Sequence, residues 1–72
     1  MKLLIFRTDI RGKKKIDFLR SLFSKNPVIL DWNIDTHDVD NVLRIEASDH
    51  LDETEIIKLI EPYGFYCEAL PD

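Results

Sequence analysis

The sequence predicts an α+β sandwich, with two helices covering one face of a four-stranded antiparallel sheet. Two observations predict it. Stretches with period-two or continuous apolar character and stretches with helical period follow one another in the order β-α-β-β-α-β. The middle strands are separated only by a short polar turn, so they pair as a hairpin, while each helix carries the chain across the sheet. The right-handed crossover rule then gives the strand order 4-1-3-2.

Each element has its own local reason. Lys2 to Thr8 is rich in branched and aromatic residues on both faces, which suits a central strand. From Lys13 to Ser24 the period changes. Ile16, Leu19, Leu22 and Phe23 form one helical stripe, Lys14, Asp17 and Ser21 face away, and Phe18 falls outside the stripe. Asn26-Pro27 stops that helix, because the residue before proline avoids helical geometry. Val28 to Thr36 reads as a half-buried strand with Val28, Leu30, Trp32 and Ile34 inward and Asp31, Asn33 and Asp35 outward. His37 to Asn41 is the turn, and Val42 to Ala47 returns with Leu43, Ile45 and Ala47 inward. The second helix starts at an Asp52 cap with Glu55 three residues on, and Leu51 and Ile56 stand at the staple positions. Ile56, Leu59, Ile60 and Tyr63 form its buried face, Pro62 and Gly64 close it, and Phe65 to Leu70 is the last strand. The inward set is then Leu4, Phe6, Trp32, Ile34, Leu43, Ile45, Phe65 and Cys67.

Composition narrows the function classes. Seventy-two residues are expected to form a single domain over 1–72, using nearly every apolar residue in one core. A formal charge of −4 argues against nucleic-acid binding, which needs a basic face. The charges are segregated, with Arg7, Arg11, Lys13, Lys14 and Lys15 early and the carboxylates concentrated in the middle. A lone cysteine, Cys67, permits no internal disulfide or thiolate cage, which fits a reducing cytoplasm. The first residues form too short an apolar run for a signal peptide or membrane span. The expectation is a complete cytoplasmic protein with no membrane partner.

Two regions are candidates for binding. Arg11-Gly12-Lys13-Lys14-Lys15 opens the first helix, where amides without intrachain partners point outward. It reads either as a solvated charge run or as an anion-binding loop, and it lacks the glycine spacing of a phosphate-binding loop. The second region is the sheet face away from the helices, where Leu3, Ile5, Val42, Tyr66 and Leu70 form an apolar patch rimmed by Arg7, Arg44, Glu46 and Glu68. Such a patch marks either scattered surface residues or an association surface. Asp35 to Asp40 lacks the glycine and terminal glutamate of a calcium loop, and nothing in the spacing of His37 and His50 joins them as ligands. Cys67 alternates inward as a small apolar residue. The sequence carries no triad, acid–base carboxylate pair or cofactor fingerprint, so the expectation is a non-enzyme without cofactor.

The Thr8-Asp9-Ile10 turn, the Trp32-Asn33-Ile34-Asp35 and Asp40-Asn41-Val42-Leu43-Arg44-Ile45-Glu46 segments, and the run from Ile56 to Phe65 resemble the heavy-metal-associated domain. That family includes copper chaperones and the metal-binding modules of metal-transporting ATPases. The resemblance implies a ferredoxin-like fold over nearly the whole chain. The family's Cys-x-x-Cys motif would fall at Gly12 and Lys15, neither of which is a thiolate, so the resemblance implies a lost metal site and no bound metal. The functions expected are protein binding or self-association, with anion sensing through residues 11–15 and residual metal carriage as alternatives.

Overall fold

The computed structural model describes residues 1–37 and 39–71. Its elements are β1 (Lys2–Thr8), α1 (Lys13–Ser24), β2 (Ile29–Asp35), β3 (Val42–Ala47), α2 (Glu53–Ile60), a 3-10 turn (Glu61–Tyr63) and β4 (Cys67–Ala69). The chain is an α+β fold with a four-stranded antiparallel sheet and two helices, compatible with a ferredoxin-like sandwich. The strands lie in the order β2-β3-β1-β4. Written from the opposite edge, these are the neighbours of 4-1-3-2.

The core follows from alternation along the two central strands. Phe6, Leu43, Ile45 and Ala47 are fully buried, and Leu19 and Phe23 of α1 join Ile56 and Ile60 of α2 in the same cluster. Trp32, Ile34 and Phe65 are half-buried against it. Asp52 caps α2, its carboxylate accepting the Glu55 N–H at 3.0 Å. Gly64 ends the following turn at φ 90°, a conformation that glycine adopts without a Cβ clash.

Three expectations need correction. First, β2 begins at Ile29, and its pairing with β3 shifts register between Ile29 and Asp31. An extra residue in a bulge reverses the alternation before it. Ile29 therefore packs on the core, while Val28 and Leu30 are 39% and 58% exposed. Second, β4 is confined to Cys67–Ala69. The Asp9 carboxylate, a side-chain acceptor, takes the Tyr66 N–H at 2.9 Å. Third, Tyr63 is exposed on the 3-10 turn, where its ring meets Phe18 edge-on with centroids 4.9 Å apart. Asp38 of the expected β2–β3 turn lies outside the described residues.

Candidate functional site

The basic loop is held from beneath. Ile10 is fully buried, and Thr8 links the loop to the β2–β3 turn. The Thr8 hydroxyl donates to the Asn41 carbonyl at 2.7 Å and accepts the Ile10 N–H at 3.2 Å. Asn41 is buried at φ 44°, a left-handed conformation that asparagine tolerates better than most residues. With its amide oxygen turned toward Arg11, Asn41 accepts from Nε at 2.8 Å and Nη2 at 3.3 Å. Arg11 therefore serves the loop's own architecture.

Gly12 precedes α1 at φ 88°, ψ 153°, in a region open essentially to glycine alone. It supplies no side-chain cap, and the first turn of α1 holds no acid. Lys13, Lys14 and Lys15 are exposed and form no ion pair among the described residues. The loop thus presents three solvated cations. None of three open cavities, beside Lys2 and Glu53, beside Phe23 and Leu30, and beside Ile16 and Thr36, is lined by residues 11–15.

The outer sheet face is arranged by register. Leu70 follows Ala69, the partner of Phe6, and its N–H donates to the Ile5 carbonyl at 2.8 Å. Leu70 and Ile5 are thus neighbours, with Leu3 two residues along β1. Leu3 is 47% exposed, and Ile5 and Leu70 are half-buried. The expected patch needs one correction. Val42 lies on this side of β3, opposite Asp35 on β2, but is only 7% exposed. Arg7 reaches Asp40 at 3.2 Å and Glu68 at 3.9 Å across that corner. Tyr66 is 50% exposed, and its hydroxyl donates to Glu68, which raises its pKa above the ordinary tyrosine value. The accessible apolar strip is therefore Leu3, Ile5 and Leu70, with Tyr66 beyond Glu68.

Cys67 is buried on the helix side, where desolvation, followed by the nearby Glu61 charge, pushes its thiol up to about 12. The protonated thiol is a poor nucleophile and a poor ligand. His37 and His50 are exposed, and no group of three or more His, Cys, Asp or Glu poised for a metal occurs among the described residues. No helix among the described residues is long and apolar enough to cross a membrane.

The structure also opens a trough that the sequence did not reveal, along the free edge of β2. Its walls are α1 and residues of β2 on both sides, Asp31 and Asn33 among them, and Trp32 packs edge-on against Phe23 with centroids 5.2 Å apart. No family model, no curated protein and no solved structure matches this chain.

Proposed function

We propose that the chain is a non-catalytic binding and assembly domain of ferredoxin-like type, related to heavy-metal-associated domains but without their metal site, and that it self-associates through the open face of its sheet. The observation that carries this reading is the Leu3–Ile5–Leu70 strip on a sheet whose helices both pack on the other side. Charge supports it. Arg44 and Glu46 stand beside the strip on β3, and neither has an ion-pair partner among the described residues. A two-fold axis crossing the strands between Leu3 and Ile5 would set Arg44 of one copy against Glu46 of the other while the strips meet.

Ile5→Glu tests this. Glutamate at position 5 faces Arg44 in register, so the fold tolerates it, but it places a carboxylate in the contact. Association weakens on the order of hundredfold, about 3 kcal/mol. Sedimentation should show the variant at monomer mass where the wild type is heavier. A wild-type chain that stays monomeric at high concentration removes the reading.

The lost metal site is tested separately. At the two motif positions stand Gly12, which has no ligand atom, and Lys15, whose cation repels a metal. Equilibrium dialysis against Cu(I) with a competing chelator should leave the protein empty. Stoichiometric retention, abolished by Cys67→Ser, would contradict this.

A further inference from the structure

The flank of α1 that meets the 3-10 turn joins an exposed aromatic cluster to lysines with no ion-pair partner. Phe18 lies outside the buried stripe of α1 and is exposed. Its ring stands edge-on to that of Tyr63, with centroids 4.9 Å apart, and tilts against Phe65 at 5.9 Å. Tyr63 is exposed and Phe65 half-buried. The rings form one platform that the fold leaves open to solvent, and a ring edge or an aliphatic side chain of a partner can pack on it.

Helical spacing sets the cations around this platform. Lys14 and Lys15 precede Phe18 by four and three positions, so both are its neighbours on the helix surface. Half-buried Leu22, four positions after Phe18, continues the flank, and Lys25 stands three beyond it in helical geometry. Lys14, Lys15 and Lys25 are exposed and form no ion pair among the described residues. The acids that border the flank are engaged otherwise. The Asp17 carboxylate is held by Arg20 at 2.9 Å, and that of Asp9 accepts the Tyr66 N–H. Glu61 opens the 3-10 turn and acts on the Cys67 thiol. Cations thus stand at both ends of an apolar centre.

That arrangement selects the occupant. An apolar side chain fits the rings, and carboxylates on either side of it fit the lysines. Lys14 and Lys25 lie roughly 16 Å apart along the helix axis, a distance that about five extended residues cover. A long polyanion or an anionic bilayer suits the flank less well, because the chain's formal charge of −4 repels it and Asp9, Asp17 and Glu61 border the patch. We propose that this flank docks a short acidic segment of a partner protein, with an apolar residue on Phe18 and Tyr63 and carboxylates reaching Lys14, Lys15 and Lys25. The site lies on the helix side of the sheet and uses neither Arg11 nor Gly12. It therefore goes beyond the self-association reading and does not depend on it.

The test uses a short acetylated and amidated peptide with phenylalanine between glutamates. One control replaces the phenylalanine by alanine, and the other replaces the glutamates by lysines. At low salt the first peptide should shift the ring resonances of Phe18 and Tyr63 and the amides of residues 14–25. It should bind about tenfold more tightly than either control. Lys14→Glu combined with Lys15→Glu should weaken it about tenfold as well. Acids in the first turn of a helix suit its dipole, so that variant stays folded and its loss is not one of structure. Equal binding of the glutamate and lysine peptides overturns the proposal. So does indifference to the alanine replacement, which would mean charge attraction without a docking platform, and so do shifts confined to Arg11 and Gly12 or to the open face. Phosphatidylserine vesicles or oligothymidylate producing the same shifts with tighter binding would overturn the choice of a protein segment. Ile5→Glu should bind the peptide as the wild type does. A failure of peptide binding alone removes this site, and a failure of association alone removes the open-face reading.

Discussion

Phe6→Ala should lower the unfolding free energy by about 3–5 kcal/mol, the usual cost of emptying a fully buried aromatic site. Phe6 is completely buried in β1, between Leu43 on β3 and Ala69 on β4. Both helices close over this face, so the vacated space has little freedom to collapse. A chain of this length has roughly 4–10 kcal/mol of stability, so the loss is about a third of it at the least and can equal all of it. Leu3→Ala on the same strand removes a side chain that is 47% exposed, and should cost within about 1 kcal/mol. Urea denaturation compares the two variants through their midpoints at unchanged slope. Equal losses would mean that the inward and outward faces of β1 are wrongly assigned.

Gly12→Ala should be destabilising although the position is exposed and a Cβ there would meet nothing within 4 Å. The cost lies in the backbone. At φ 88° and ψ 153° an L side chain is strained, by about 1–3 kcal/mol. The restriction alanine places on the unfolded chain leaves that strain in place. Lys15→Ala, inside α1, replaces one good helix former with a better one and should stay within about 0.5 kcal/mol. Thermal unfolding of the pair decides the matter, and a neutral Gly12→Ala would mean that the loop relaxes freely. The same backbone bears on the metal question. A cysteine at position 12 would carry the same backbone strain as alanine there.

Which parts of this were legible in the sequence depends on what each residue answers to. β1, α1 and β3 have the bounds expected from periodicity, because one buried face governs every residue in them. Asp52 was legible because a cap is chosen by its immediate neighbours. β2 was misread because Val28, Leu30, Trp32 and Ile34 alternate without interruption, and a bulge leaves no mark in such a pattern. Tyr66 looked like a strand residue, yet its N–H goes to a side chain 57 positions away. Val42 lies on the outer face as its parity requires, yet is only 7% exposed, which parity alone does not foretell. The positive φ at Gly12 and the trough beside Trp32 are properties of backbone path and of the space between elements, which no single segment encodes.

The most direct measurement on the central claim is an isotope-filtered NOE experiment on an equal mixture of labelled and unlabelled chain. If the open face joins two copies, the methyl groups of Leu3, Ile5 and Leu70 give contacts between copies, and Ile5→Glu abolishes them. Contacts arising from another surface, or none at concentrations where the wild type is associated, would contradict the account.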